Sequence, residues 1–311
     1  MELVRGLHNL RPRHRGCVIT IGNYDGLHLG HQAMLRQLRL RADEFGVPAC
    51  VMSFEPSPRE FLASIGLAPT PPGRLSRFRE KFQNLADYDV DRFVCARFDA
   101  HMQAVTAESF VQDILVTGLG ARWLVVGNDF RFAHRRMGRT ALLKSMGPKC
   151  GFGVDEVAPF LVDGLRVSSS LVRDALVKND MRRATQLLGR PYRMSGKVIA
   201  GERFGRTLGF PTANLRLHRR VIPTMGIFAV RVSGGGLRNA PGMAYLGTRP
   251  VMNGTVPLLE AHVFDYSGDL YGKNLHVDFV AHLRDDRGIK TVDAMVVQMK
   301  QDASEARAIL T

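Results

Sequence analysis

The sequence predicts two consecutive domains: an α/β domain with a parallel sheet, then a small six-stranded antiparallel β-barrel that ends in a helix. Strand-like and helix-like segments alternate over the first 180 of the 311 residues, which is typical of a parallel sheet covered on both faces. After about residue 190, six short strand-like segments follow one another within about 90 residues, separated by turns containing glycine or proline. A chain of this length exceeds the usual size of a single domain.

In the α/β part, apolar β-branched runs predict the strands and apolar residues at helical spacing predict the helices. Segment 29–45 has this helical spacing, and Gly46 supplies its C-terminal stop. Thr106 is expected to cap helix 106–116, with Glu108 in its first turn. The predicted strands are 17–22, 48–54, 92–98, 122–127 and 154–159, and the predicted helices are 29–45, 74–85, 106–116, 138–146 and 168–177.

The barrel part shows strand-like runs with no helix between them. Segment 179–189 contains a short helix and is the expected joint, so we predict domains over residues 1–185 and 186–311. Segment 291–310 is predicted to be the terminal helix. The predicted barrel strands are 194–201, 209–215, 226–232, 242–247, 258–265 and 275–283.

The composition excludes several classes of protein. The net charge of +14 fits nucleic-acid binding, an enzyme that handles polyphosphates, or a basic surface. The basic runs at 11–15, 134–136 and 218–220 are short and lack interleaved aromatic residues, so nucleic acid is not the expected partner. No apolar run approaches about 18 residues, and the basic segment 1–16 lacks the apolar core of a secretory signal, so we expect a cytoplasmic protein without membrane spans.

The four cysteines do not form a recognisable framework. Cys17, Cys50, Cys95 and Cys150 are far apart, and no Cys-x-x-Cys pair exists. A disulfide scaffold or a zinc site is therefore not expected, and three of the four are expected to pack as small apolar residues in a reducing compartment.

The first candidate site lies where a buried strand gives way to a glycine-rich turn and a helix, in IGNYDGLHLGH at 21–31. A helix N-terminus at the carboxyl end of a parallel strand binds anions, and Gly30 lets a phosphate approach the backbone. His28 and His31 fall on one side of the first turn, where they can stabilise charge on a phosphorus centre. The alternative is two ordinary surface histidines, but the strand and glycine-rich turn favour a functional pair.

A second segment, VSSSLVR at 167–173, places three hydroxyls at a helix start and Arg173 one turn later. Such hydroxyls bind phosphate oxygens and also cap helices, and an arginine adds a positive fork. Alone, this segment predicts only a good N-cap.

The third candidate site lies in the barrel, where glycine-rich segments 196–201 and 205–209 precede Pro211. Dense glycines allow a backbone to wrap phosphates. Thr212 and Asn214 are oxygen donors separated by one residue, so both can face one Mg²⁺ ion. The alternative is a glycine-rich turn with an exposed threonine and asparagine.

Transfer of a phosphoryl group from a Mg²⁺-bound phosphate to a hydroxyl would also need a group that accepts the proton of that hydroxyl. In the strand LEAHVFD at 259–265, alternation places Glu260, His262 and Phe264 on one face. Spacing alone favours an ordinary outward-facing polar residue at Glu260.

Together these motifs resemble the bacterial bifunctional riboflavin kinase/FMN adenylyltransferase family, the prokaryotic FAD synthetases, within the nucleotidyltransferase superfamily. FEPSPREF at 54–61, REK at 79–81 and VGNDFRF at 126–132 resemble further segments of that family, and the likeness spans nearly the whole chain. The resemblance implies a Rossmann-like nucleotidyltransferase domain followed by a riboflavin kinase barrel. It implies that riboflavin and ATP give FMN and ADP in the barrel, and that FMN and ATP give FAD and pyrophosphate in the first domain.

The resemblance also implies roles for individual residues. Glu260 would be the base for the ribityl 5′-hydroxyl, His28 and His31 would be catalytic for adenylyl transfer, and Thr212 and Asn214 would bind Mg²⁺ with ATP. The residues expected to bind ATP phosphates in the adenylyltransferase are Gly22, Asn23, Asp25, Gly30, Ser168, Ser169 and Arg173. Those expected to bind its FMN are Asn128, Asp129 and Arg131. Those expected to bind ATP or flavin in the kinase are Gly196, Lys197, Gly201, Gly205, Arg206, Gly209 and Arg284. Without the resemblance, Asp129 and Arg131 could equally form a local ion pair.

This chain departs from the family pattern at five positions. The family usually has Asn at Tyr245, Thr at Val251, His at Ala200, Gly at Ala133 and Asp at Arg139. These departures put flavin affinity and the kinase rate in question. Two rival functions remain open: adenylyl transfer to a different phosphate substrate with the barrel as a binding module, and nucleic-acid binding.

Overall fold

The computed structural model describes residues 1–70, 73–201, 208–219, 221–251, 254–286 and 291–311. The chain divides into two compact units, one formed by Met1–Pro71 with Phe78–Val167 and the other by Pro72–Arg77 with Ser168–Thr311.

The first unit is built on a six-stranded parallel sheet, which confirms the predicted α/β fold. Its strand order is β1-β4-β3-β2-β5-β8. Both faces are buried: Ile19 and Met52 pack on one side, and their neighbours Val18 and Val51 pack on the other. The elements are β1 Glu2–Arg5, β2 Cys17–Ile21, α1 Leu29–Phe45, β3 Ala49–Phe54, α2 Pro58–Ser64, α3 Phe78–Ala86, β4 Arg92–Ala96, α4 Ala100–Ala104, α5 Ala107–Ser109, β5 Ala121–Gly127, β6 Arg131–Phe132, β7 Gly138–Arg139, α6 Thr140–Cys150, β8 Gly153–Val157, β9 Leu161–Val162 and β10 Leu165–Arg166.

Three predicted helices of this unit differ from the structure, and two short helices, α2 and α4, were not predicted. The helix predicted over 138–146 spans Thr140–Cys150, because Gly138–Arg139 form strand β7. The helix predicted over 106–116 is α-helical only through Ser109 and continues as a π-helix over Phe110–Gly118. Thr106 caps it as predicted, accepting from the Ser109 N–H. The helix predicted over 74–85 begins only at Phe78, and the segment before it, Pro72–Arg77, belongs to the second unit.

Strand β1 was missed by the sequence analysis, which found only a basic segment there. It pairs in parallel with β4 at the edge of the sheet. The Glu2 carboxylate holds it in place, because it accepts from His14 Nε2 at 3.0 Å and from Arg92 Nε at 3.3 Å. His14 and Arg92 are buried, so this carboxylate satisfies polar groups that water does not reach.

The second unit contains the predicted six-stranded barrel, closed in the order β11-β12-β15-β14-β13-β16. Helix α8 packs on it through Met181, Ala184, Leu187 and Leu188, which are buried. The terminal helix is fixed by Ala306 and Leu310, which join a core cluster with barrel residues. The elements are α7 Ser169–Val177, α8 Met181–Leu188, β11 Tyr192–Ile199, β12 Ala213–Arg216, β13 Gly226–Gly234, β14 Leu237–Val251, β15 Gly254–Val263, β16 Asn274–Arg284 and α9 Val292–Leu310.

The four cysteines are free thiols, and three of them, Cys17, Cys50 and Cys95, are buried as predicted. Among the described residues, every helix is too short or too polar to traverse a bilayer. The same part of the chain holds no group of three His, Cys, Asp or Glu side chains arranged to bind a metal.

We predict that Glu2→Gln destabilises the first unit in a pH-dependent way. Hydrogen bonds, above all from His14, hold the pKa of Glu2 at about 2, below its ordinary 4.5. The stabilisation is therefore complete above pH 4.5 and is lost as the pH falls toward 2. Since the carboxylate is partly exposed, we expect a loss of about 1–2 kcal/mol in the free energy of unfolding at pH 7.

Urea unfolding followed by the fluorescence of Trp123, the chain's one tryptophan, on β5, measures this loss. Arg13→Ala is the control, because the Arg13 side chain is 73% exposed and its contact with Glu2 contributes little. Equal stability of Glu2→Gln and wild type at pH 7 would refute the role of the carboxylate.

Candidate active sites

Tyr24 holds the turn between β2 and α1 in place. Its buried hydroxyl forms a 2.6 Å hydrogen bond with Thr20 Oγ1 on β2. Burial raises the pKa of Tyr24 well above its ordinary value, so the phenol stays neutral. Tyr24, Gly26 and Leu27 have positive φ angles, which fold the chain tightly before the helix begins.

The two histidines of the turn form a stacked pair at the start of α1. His28 is the N-cap, and its Nδ1 accepts from the His31 N–H at 3.3 Å. The imidazole centroids lie 3.7 Å apart with planes inclined by 17°. A Cβ at Gly30 would lie 3.3 Å from the His28 ring, so glycine leaves room for this stack. Both imidazoles therefore lie beside the anion-binding end of the helix.

His31 is a neutral imidazole at neutral pH. Burial, and then the charges of His28 and Lys81, hold the pKa of His31 well below its ordinary 6.5. Its Nδ1 is buried and has no hydrogen-bond partner among the residues described. A buried ring nitrogen of this kind is costly unless a ligand completes its hydrogen bonding.

Lys81 is a residue of this site to which the sequence analysis gave no role. It extends from α3, is buried, and its Nζ lies 3.3 Å from Ser53 Oγ on β3. Ser53 in turn donates to the backbone oxygen of Asn23 at 3.4 Å. The REK segment marked this helix, but only the packing of α3 on the sheet shows that the cation lies near His31.

The loop after β5 carries the residues predicted near FMN. Asn128, Asp129 and Arg131 are exposed. Asp129 Oδ1 pairs with Arg166 Nη2 at 2.7 Å, and this guanidinium lowers the pKa of the carboxyl. The observed partner of Asp129 is therefore Arg166, on β10, rather than Arg131 within the loop. A role in FMN binding stays a prediction for all three loop residues.

Ser168, Ser169 and Arg173 belong to the second compact unit. Ser168 caps α7 as predicted, because its hydroxyl accepts from the Leu171 N–H at 3.2 Å. Arg173 Nε donates to the Gly73 carbonyl at 2.8 Å. Phosphate binding by these residues stays a prediction, as it does for Gly22 and Asp25 in the first unit.

In the barrel, strand register places Asn214, Glu260 and Tyr245 side by side. Asn214 on β12 pairs directly with Glu260 on β15, which pairs directly with Tyr245 on β14. Directly opposed residues share a face, and their Cβ atoms lie about 4.5–5.5 Å apart. The flanking residues Leu259 and Ala261 are buried in the barrel core. The three polar side chains therefore form a row on the outer face, as alternation predicted for Glu260.

The oxygen donors beside Glu260 are held by two neighbouring contacts. His262 Nδ1 donates to the Pro211 carbonyl at 2.8 Å, which fixes the chain just before Thr212. A Cβ at Gly201 would clash with the Asn214 amide, so glycine provides the space that this amide fills. The Thr212 hydroxyl and the Asn214 amide oxygen are hard donors of the kind that Mg²⁺ prefers, so these two residues fit that ion.

The other residues predicted for the kinase site differ in their contacts and exposure. A Cβ at Gly196 would lie 2.9 Å from the Arg216 carbonyl, so close strand packing already requires glycine there. Arg284 forms a bidentate pair with Asp302 on α9, with Nη2–Oδ2 at 2.8 Å. Gly209 has a φ of +82° and Lys197 is exposed. Nucleotide or flavin binding stays a prediction for these positions, and the predicted Gly205 and Arg206 lie outside the described residues.

We predict that Lys81→Met raises the pKa of His31. Lys81 is one of the positive charges that disfavour protonation of this imidazole, so its removal relieves part of the depression. Histidine NMR titration measures the pKa directly. Lys144→Met is the matched control, because it removes an exposed lysine of the same unit that pairs with Glu156. An unchanged His31 pKa in Lys81→Met would show that the ammonium does not act on the histidine pair.

Comparison with known proteins assigns each half of the chain separately. Residues 10–171 match the family model described as FAD synthetase. Residues 188–310 match the model described as riboflavin kinase. The two matches occupy the parts of the chain that carry the histidine pair and the Glu260 row.

Full-length relatives carry both activities in their names. A bifunctional riboflavin kinase/FMN adenylyltransferase of Pseudomonas fluorescens is 45% identical over 310 residues, covering 99% of this chain and 98% of the relative. Proteins of the same name from Haemophilus influenzae and Escherichia coli K12 are 42% identical, over 99% of this chain and 99% and 97% of the relatives, respectively.

One solved structure also matches over the whole chain. It is titled a macrolide-efflux protein from Streptococcus pneumoniae, is 27% identical, has a TM-score of 0.85 and covers 99% of both chains. Both family models and the full-length relatives agree on the assignment. This chain belongs to the bifunctional riboflavin kinase/FMN adenylyltransferase family.

Proposed function

We propose that this chain makes flavin cofactors in two ATP-dependent steps. The barrel phosphorylates riboflavin to FMN, and the α/β unit adenylylates FMN to FAD with release of pyrophosphate. The observation that carries this proposal is the presence of both family matches, in order, on a chain aligned end to end with bifunctional relatives. The substrates and products are therefore ATP, riboflavin, FMN and FAD, and we place the enzyme in the cytoplasm.

In the kinase step, Glu260 accepts the proton of the ribityl 5′-hydroxyl. Its carboxylate is half-buried on the outer face of β15, open to a substrate but fixed by strand pairing on both sides. Thr212 and Asn214 would hold Mg²⁺, which when bound neutralises charge on the ATP phosphates. Asn214 is the direct cross-strand neighbour of Glu260, so the nucleotide side of the site adjoins the base.

In the adenylyl step, the FMN phosphate is already an anion, so no strong base is required. His28 and His31 stabilise the charge that develops at phosphorus, and their stacking at the start of α1 places them before substrate binds. His31 enters the step uncharged. Lys81 supplies, near the histidine pair, the positive charge that the uncharged His31 imidazole lacks.

The two chemistries separate cleanly in variants. His28→Ala removes a charge-stabilising group, and we expect a loss of about 10²–10³-fold in FAD formation. Glu260→Gln removes the base, and we expect a loss of about 10²–10⁴-fold in riboflavin phosphorylation. His28→Ala should accumulate FMN, whereas Glu260→Gln should still convert supplied FMN to FAD.

Chromatography of products from riboflavin or FMN with ATP and Mg²⁺ measures both steps. His101→Ala and Glu305→Gln are matched controls, since both side chains are exposed on helices α4 and α9. If either test variant loses both steps while its circular dichroism spectrum is unchanged, the assignment of two separate sites fails.

The domain boundary after residue 185 remains our proposal for dividing the two activities. That cut splits α8, whose Met181 and Ala184 are buried. We expect a fragment of residues 168–311 to be more stable than one of 186–311 by roughly 2–4 kcal/mol, because the longer one keeps these apolar contacts. Urea unfolding and riboflavin phosphorylation by both fragments measure this. If a folded barrel fragment is inert while the full chain is active, the kinase does not reside in the barrel alone.

A further inference from the structure

Tyr245 occupies the position next to the proposed base on the side away from Asn214. It lies on β14 and pairs directly with Glu260. Its neighbours Ala244 and Leu246 are buried in the barrel core, so Tyr245 faces outward together with Glu260. The proposed base therefore has an amide on one side and a phenol on the other.

The Tyr245 ring lies along β14, and its hydroxyl reaches the segment that follows β16. A Cβ at Gly247, two residues later on the same face, would clash with the Tyr245 hydroxyl. Glycine therefore gives the ring the space to lie flat against the strand. The hydroxyl donates to Asp286 Oδ2 at 3.1 Å. Because Asp286 follows the end of β16 by two residues, this hydrogen bond holds its carboxylate beside β14.

Two carboxylates thus flank one neutral phenol. Burial, and then the charges of Asp286 and Glu260, raise the pKa of Tyr245 to about 12. The hydroxyl consequently stays protonated and remains a donor at every pH at which the enzyme works. Two charged neighbours within the described residues are engaged elsewhere: Arg284 pairs with Asp302, and Asp285 lies 3.2 Å from His282.

The groups on the two sides of Glu260 differ in charge and therefore in which ligands they can bind. The side with Thr212 and Asn214 offers neutral oxygen donors that suit a cation with phosphates. The side with Tyr245 and Asp286 carries an extra negative charge, which repels a triphosphate but accepts hydrogen bonds from an uncharged polyhydroxyl chain. The ribityl chain of riboflavin has this chemistry.

We propose that Tyr245 is a positioning residue for the acceptor of the kinase step, because it holds the Asp286 carboxylate where a ribityl hydroxyl donates to it. This inference rests on the proposed role of Glu260 as the base. Tyr245 acts through Asp286 and takes no part in the proton transfer. It sets the affinity of the site for riboflavin and leaves the handling of ATP unchanged.

The test compares Tyr245→Phe, Asp286→Ala and the double variant in the full chain. Removing the hydroxyl frees the Asp286 carboxylate, so we expect the KM for riboflavin to rise about fivefold to tenfold in Tyr245→Phe. We expect kcat and the KM for ATP to change by less than about twofold. Because both side chains belong to one contact, the double variant should raise the KM no further than Asp286→Ala alone.

Tyr266→Phe is the matched control. A Cβ at Gly268 would clash with the Tyr266 hydroxyl in the same way, so the two tyrosines share a local conformation but differ in what the hydroxyl contacts. We expect its kinetics to equal those of wild type. Conversion of supplied FMN to FAD should be unchanged in every variant.

Riboflavin binding, measured by quenching of flavin fluorescence in the absence of ATP, separates this inference from the proposed base. If Glu260→Gln keeps full kinase activity, the role of Glu260 fails, and the Kd of Tyr245→Phe for riboflavin still decides the role of Tyr245. A wild-type Kd and KM for riboflavin in Tyr245→Phe would overturn the inference. So would additive losses in the double variant, or equal changes in the KM values for riboflavin and ATP.

Discussion

The alternation of side chains along the barrel strands is the constraint on which the proposed kinase site depends. Leu259 and Ala261 fill the barrel core, so Glu260 between them must face outward. Strand register then decides its neighbours, since Asn214 and Tyr245 lie directly opposite it. A shift of one residue in either pairing would turn these groups into the core. The close packing of the barrel therefore fixes the chemistry on its surface.

In the α/β unit, a turn rather than a row of paired strand residues fixes the positions of the polar side chains. Tyr24 is buried beneath the turn and tied to Thr20, which fixes where the chain leaves β2. The helix can then begin at Leu29 with His28 as its cap, and the geometry of the first helical turn stacks His31 on it. Burial of Tyr24 thus fixes the positions of the His28 and His31 imidazoles.

Local patterns predicted a large part of this arrangement. The histidine pair follows from three-residue spacing at a helix start, and the outward face of Glu260 follows from alternation within one strand. Strand β1 escaped prediction because it is a short edge strand whose pairing with β4, and whose Glu2–Arg92 contact, join residues about 90 positions apart. Lys81 and the Tyr245–Asp286 contact were missed for the same reason: each depends on which distant segments pack together in the fold, and no short motif records that.

The two proposed sites differ in charge in the way their substrates would require. An FMN phosphate is an anion and already a nucleophile, so a site with neutral His31 and the cation of Lys81 needs to stabilise charge rather than remove a proton. A ribityl hydroxyl is uncharged and must lose its proton, so the carboxylate of the proposed base on β15 would be the useful group there. Exchanging the two environments would disable both steps, because a carboxylate would repel the phosphate and a cationic pocket would hold no base. The histidine pair and Lys81 belong to the first compact unit and Glu260 belongs to the second, so each proposed environment is built from its own part of the chain.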